Sequence, residues 1–263
     1  LVYKKIFYIL DKPEICVRIY YCQLIKRISM LLQDKQMTAQ DFMSLLDEII
    51  EKQHLLKHTF YQMWNQGKLS LEMLQEYAQE YYLQVHYFPT YISATHAACD
   101  DLEIRKMLLE NLIEEEMGAA NHPELWLRFA EGLDVKREAV KEREHLAKTK
   151  ESVSILKELA RSENPAKGLA ALYAYESQIP EVATTKIAGL KEFYGIDSEA
   201  ALSFFKVHEK ADEIHSKVTK EALVKLCETD AQKQEALTAA ATAVDALNLL
   251  LDGVYEEYCQ ALN

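Results

Sequence analysis

"DFMSLLDEIIEKQHLLKHTFYQMW", residues 41–64, repeats apolar side chains at three- and four-residue spacing up to Gly67. That period belongs to an amphipathic helix, because a half-buried strand alternates every second residue. The same pattern returns in segment after segment. Ser70 caps a long stretch running to about Cys99, with Pro89 interrupting it, and Asp100 or Asp101 opens a helix that ends near Gly118. A short helix follows over about Pro123–Gly132, and another over about Arg137–Ala160. Pro165 stands at its favoured first-turn position, and that helix meets Pro180 and ends by Gly195. Ser198 caps a further helix, and a last one covers roughly residues 231–261. Nearly every Gly and Pro falls at or near such a boundary, so the chain reads as all-α.

Composition agrees. Seven Gly and five Pro in 263 residues are too few for a turn-rich β sandwich or barrel. Hydrophobic residues make up 49% and charged residues 27%, the balance of a globular chain with ample material for a core. A net charge of −12 speaks against a nucleic-acid partner, which needs a basic surface. By sequence no apolar run approaches the length of a membrane span, and "KKIFYIL" is too short for a signal peptide, so no membrane association is expected. Five cysteines without CxxC spacing provide neither a disulfide nor a zinc framework, which points to a reduced cytoplasmic setting.

Residues 1–36 differ from the rest. They carry seven Lys/Arg against three Asp/Glu, a charge of +4 that leaves −16 for residues 37–263, and Leu1 is an unusual first residue. Two readings stand: an upstream extension from a start site placed too early, or a genuine N-terminal helix. Residues 37–263 form the helical domain.

"HEKADEIH", residues 208–215, supplies the first chemistry. On a helix, positions i+4 and i+7 are rotated by about 40° and about −20° from i, so His208, Asp212 and His215 share one stripe. The stripe is either a metal-binding edge or a solvated polar face. "IEEEMGAANHPELW", residues 113–126, holds Glu115 and His122 seven residues apart, with their facing dependent on the backbone between Gly118 and Pro123. "LAALYAYESQIP", residues 169–180, is almost wholly apolar or aromatic except for Glu176. A carboxylate there must be paired, protonated or metal-bound; a buried Tyr or Lys is the plainer partner. Carboxylates and imidazoles on separate helices of a bundle suit a dinuclear iron or manganese centre, while two histidines and one carboxylate would suffice for a mononuclear one. His54 and His58 are a rival pair at i, i+4. His86, His96 and His145 read as structural or surface residues.

These residues resemble the family of the chlamydial death-domain-associating protein and its bacterial relatives, within the heme-oxygenase-like superfamily that also holds the pyrroloquinoline quinone synthase (PqqC) and TenA folds. The resemblance runs from about Leu45 to about Leu226, through "HTFYQMW", "YAQEYYLQVHYFPTYISATH", "CDDLE", "NHPELW", "LYAYESQIP" and "HEKADEIH". It implies a seven-helix bundle around a dinuclear Fe/Fe or Fe/Mn centre held by Glu115, His122, Glu176, His208, Asp212 and His215. Within "EEE" only the spacing to His122 favours Glu115 over Glu114 or Glu116. The implied activity is an oxidoreductase reaction with molecular oxygen that makes 4-aminobenzoate for folate biosynthesis. Its ring comes from a tyrosine of the protein, here Tyr61, and its amine from a lysine, here Lys186. An external reductant is needed.

By pattern alone Tyr61 is one of fifteen tyrosines and Lys186 a solvent-facing lysine. Tyr77, Tyr81, Tyr82, Tyr91, Tyr173 and Tyr175 are further candidates to line the same cavity. Two other functions compete: a conventional metal-dependent oxygenase or oxidase on a diffusible small molecule, and a host-protein-binding protein. The resemblance names death-domain proteins as partners, and no residue here speaks to them. A TenA-like thiaminase would need a cysteine nucleophile, for which Cys99 is the candidate. The C-terminal helix packs on the core or forms a homodimer contact.

Overall fold

Thr38 Oγ1 accepts the N–H of Asp41 while the Asp41 side chain accepts the N–H of Thr38, a reciprocal cap that opens α1 (Ala39–Lys52). The computed structural model describes residues 36–260, apart from the side chains of residues 210–215. The charge-distinct segment 1–36 therefore lies almost wholly outside the described residues. After α1 come a 3-10 turn (Leu55–Lys57), α2 (Thr59–Asn65), α3 (Leu71–Ala98), α4 (Leu102–Glu116), α5 (His122–Gly132) and α6 (Arg137–Lys141). The chain continues with α7 (Ala147–Ala160), α8 (Pro165–Glu176), α9 (Ile179–Tyr194), α10 (Glu199–Leu226) and α11 (Asp230–Val254), which widens into a π turn over Tyr255–Cys259. Among the described residues there is no strand, and eleven α-helices replace the seven expected.

Side-chain chemistry accounts for the extra boundaries. Residues 41–64 do not form one helix, because the imidazoles of His54 and His58 each accept a backbone N–H and start a new turn. The segment 137–160 breaks at residues 142–146, where buried Glu80 of α3 takes the N–H of Leu146 (3.1 Å) and the hydroxyl of Thr149 (2.8 Å). Pro180 sits in the first turn of α9, where its missing N–H costs nothing; α8 has already ended at Glu176. Pro89 lies inside an unbroken α3. The caps expected at Ser70, Asp101 and Ser198 are all made.

α11 packs against α8 and α7, α10 against α9 and α5, and α3 against α4, α5 and α7. Two glycines allow close approaches around the site. A Cβ on Gly132 of α5 would stand 2.5 Å from that of Ala201 on α10, and one on Gly189 of α9 would stand 2.7 Å from the Trp64 indole. Contrary to the expectation from sequence, one segment among the described residues, Asp230–Cys259, is long and apolar enough to cross a membrane by length and composition; 67% of its apolar window is buried inside the bundle. Packing in the core accounts for its apolarity.

Candidate metal centre

Glu115 ends α4 and His122 opens α5. Between them Gly118 takes φ +83°, in the left-handed region that glycine tolerates. Asn121 closes the reversal: its Nδ2 donates to the Gly118 carbonyl (2.8 Å) and its Oδ1 accepts the N–H of Glu124 (3.0 Å). The helix thus breaks between Gly118 and Pro123, and the break brings His122 Nδ1 to 2.7 Å from Glu115 Oε2. Glu115 is buried beside His122, whereas Glu114 and Glu116 are exposed.

His208 reaches the same point from α10, its ring centroid 4.4 Å from that of His122. One ligand atom from each of Glu115, His122 and His208 lies within 4.8 Å of the others, and all three residues are buried. His208 Nδ1 faces the Phe204 carbonyl at 2.6 Å. A carbonyl only accepts, so Nδ1 carries the proton and the lone pair is on Nε2, the tautomer a ligating imidazole needs. Glu176, at the end of α8, is 2% exposed and accepts from Asn111 Nδ2 at 2.6 Å. Asn111 lies one turn before Glu115 on α4, so one helix face supplies both a carboxylate and the donor that holds a second one. Sequence reading missed Asn111; its i, i+4 relation to Glu115 was the available signal. Asp212 and His215 continue along α10, and their side chains lie outside the described residues.

Buried oxygen and nitrogen donors without thiolate fit iron or manganese. At 2.7 Å, Glu115 and His122 are placed to share a proton, and a cation would take that proton's place. The donor set therefore fits a metal.

Tyr61 and Lys186 come together on the far side of an aromatic wall. Tyr61, on α2, is fully buried, and Lys186, on α9, is 3% exposed rather than solvent-facing. Lys186 Nζ donates to Tyr77 Oη at 2.6 Å, and Tyr77 Oη is 3.1 Å from Tyr61 Oη. Nζ lies 5.2 Å from the Tyr61 ring centroid, with Trp64, Tyr77, Tyr81, Trp126 and Phe205 all within 5.9 Å. No carboxylate among the described residues pairs with it. Burial holds the ammonium pKa well below its usual value, and burial pushes the Tyr61 and Tyr77 phenols well above theirs. Trp126 belongs to this cage and also stands 4.8 Å from Phe204, whose ring is 4.4 Å from His208. The cage and the histidines thus share a wall, reached because Gly189 lets α9 close on Trp64.

Of the other candidates, Tyr81 donates to Tyr175 (3.0 Å) beside the cage, whereas Tyr173 bonds Asp47 (2.6 Å). His54 and His58 are helix caps and stand outside the donor cluster. Cys99 caps the end of α3, and burial pushes its thiol up, opposite to the activation a nucleophile needs. Cys99, Cys227 and Cys259 are free and buried.

Comparison with known proteins agrees with this geometry. Residues 75–248 match the family model described as iron-containing redox enzyme. The 4-aminobenzoate synthase of Chlamydia pneumoniae is 47% identical over 182 residues, 69% of this chain and 81% of that protein. The 4-aminobenzoate synthase of Nitrosomonas europaea is 39% identical over 235 residues, 86% of this chain and 96% of that one. A TenA homologue from Pseudomonas syringae superposes with a TM-score of 0.70 at 16% identity, covering 84% of this chain and 94% of its own, which establishes the shared fold. The chain belongs to the iron-containing redox enzyme family, the heme-oxygenase-like group in which those 4-aminobenzoate synthases stand.

Proposed function

We propose that this protein makes 4-aminobenzoate for folate biosynthesis by an oxygen-dependent reaction that consumes its own Tyr61, with Lys186 as amine donor. The observation that carries the reading is the cage: a buried amine without a counter-ion, joined through Tyr77 to the phenol of Tyr61. The names of the relatives support the product. Tyrosine already holds carbon and oxygen para to each other. Breaking its Cα–Cβ bond, raising Cβ to a carboxylate with oxygen from dioxygen, and replacing the phenol oxygen, lost as water, by the nitrogen freed on cleavage of the Lys186 Cε–Nζ bond would give the product.

These changes need oxidation, which side-chain acids and bases do not provide. Glu115, His122, Glu176, His208, Asp212 and His215 would hold a dinuclear Fe/Fe or Fe/Mn centre, which when bound supplies electron exchange with dioxygen, refilled by an external reductant. The residues described do the rest. Lys186, whose charged form burial disfavours, holds its nitrogen beside the Tyr61 ring. Tyr77 accepts from that amine and exchanges a hydrogen bond with Tyr61 Oη, holding the two groups in register. Trp64, Trp126 and Phe205 exclude water from the pair. Tyr61 is fully buried, so a diffusible substrate has no open approach to it.

Intact-protein mass spectrometry after metal loading, reduction and oxygen exposure tests the proposal. Loss of the Tyr61 side chain with up to one equivalent of product is expected. An unchanged Tyr61, or product beyond one equivalent per chain, would sink self-consumption in favour of a diffusible substrate. Metal analysis of anaerobically purified protein, with Glu176→Ala and His215→Ala as controls, tests the ligand set.

A further inference from the structure

We propose that His58, oriented by Asp252, is the positioning residue for Tyr61, acting through the N-terminal cap of α2. The inference rests on the reading of Tyr61 as the reacting side chain. α2 has seven residues, too few to hold a helix by its own hydrogen bonds. Its first N–H groups need acceptors from outside the helix. His58 Nδ1 accepts the N–H of Phe60 at 3.1 Å, one residue before Tyr61. That bond requires the lone pair on Nδ1 and the proton on Nε2, and Nε2 lies 3.0 Å from Asp252 Oδ1 on α11. The carboxylate therefore selects the tautomer that caps the helix.

Ser, Thr, Asp and Asn are the usual capping residues, but their side chains are short. Imidazole carries an acceptor and a donor on well-separated ring nitrogens, so one side chain caps α2 and ties it to α11. Phe60, the residue whose N–H is held, packs its ring 4.8 Å from that of Tyr77 and 5.5 Å from that of Tyr61. Fixing the Phe60 backbone thus fixes both phenols against Lys186. His54 repeats the arrangement more loosely. Its Nδ1 accepts from Leu56 N–H at 3.2 Å, but Nε2 is 3.7 Å from Glu181, a largely exposed carboxylate. His58 is the better anchored of the two, and the one adjoining Tyr61's helix.

The test uses the full chain with His58→Ala, His58→Asn and Asp252→Ala. Hydrogen exchange of the 59–65 segment is followed in metal-free protein, and loss of Tyr61 mass in metal-loaded protein exposed to oxygen. His58→Ala should raise exchange in this segment and slow Tyr61 loss, each by about fivefold or more, the scale of a lost cap. His58→Asn, which restores a cap, should return both towards wild type. Asp252→Ala, which leaves the capping ring in place at a part-exposed site, should fall between and keeps the test available if His58→Ala fails to fold. Wild-type exchange and rate in both His58→Ala and Asp252→Ala would overturn the proposal. So would His58→Asn regaining protection while Tyr61 loss stays as slow as in His58→Ala. If wild type itself never loses Tyr61, the function fails instead, and the exchange data still judge the cap.

Discussion

A lysine ringed by aromatic side chains without an anion is most stable as the neutral amine. Unfolded, Lys186 binds its proton up to a pKa of about 10.4; folded, it releases that proton well below. Between those two values the unfolded chain holds more protons, so this residue makes stability rise with pH. Lys186→Met should therefore raise the melting temperature at neutral pH by a few degrees, on the order of 1 kcal/mol, and shrink the gain seen at alkaline pH. The same variant should make no product. A melting temperature below wild type at neutral pH would contradict this account of the cage. Little of this was legible in "EVATTKIAGL", where Lys186 reads as one polar position on an amphipathic helix. Its burial comes from Phe205, 19 positions away in the chain, and from Trp64, Tyr77, Tyr81 and Trp126, which lie from 60 to 122 positions away. Glu115 was more accessible, because its spacing to His122 spans one loop and its own helix buries only one face.

Between elements, close approach does what propensity does not. Gly189→Ala would push a methyl into Trp64, where contact would fall to 2.7 Å. α9 would have to retreat, at about 1–3 kcal/mol. Thermal melts should register that loss, and displacement of Lys186 should appear as slower Tyr61 consumption; an unchanged rate would mean that the cage tolerates the shift. Helix existence was legible throughout from the 3.6-residue period and the caps at Ser70, Asp101 and Ser198. The breaks at residues 53–58 and 142–146 were not, because their acceptors are imidazoles inside an apolar repeat and a carboxylate on another helix. Glu80 shows the energetic side. Burial alone would raise its carboxyl, and the nearby His145 imidazole (3.7 Å) with hydrogen bonds from Thr149 and the Leu146 N–H holds it below the usual range. A depressed carboxylate pKa stabilises the fold above the unfolded value of about 4.3 and loses that contribution as pH falls through the folded value. Glu80→Ala should cost about 1–3 kcal/mol in urea unfolding at neutral pH, because the Leu146 N–H and the Thr149 hydroxyl lose their buried acceptor while Arg143 keeps Glu76. The deficit should narrow in acid, and a deficit that widened there would reverse the assigned sign.

For the molecule as a whole, the bundle gathers donors from α4, α5 and α10 on one side of a wall and an amine with a phenol on the other. The all-α class followed from the sequence alone, but the assembly of these groups depended on the packing of α5 on α10 and α9 on α2. Tyr61 fills its place completely. If its ring leaves as product, the spent chain carries an aromatic-sized hole at the centre of its core. Removing a buried aromatic side chain costs about 3–5 kcal/mol, against a total stability of about 5–15 kcal/mol for an ordinary domain. The unfolded fraction would then rise roughly a hundred- to a few thousandfold. Each chain would thereby become a better protease substrate once it had reacted, so that depletion of the catalyst and its clearance are one event. Reacted protein should melt several degrees lower and be digested faster than unreacted protein of the same preparation.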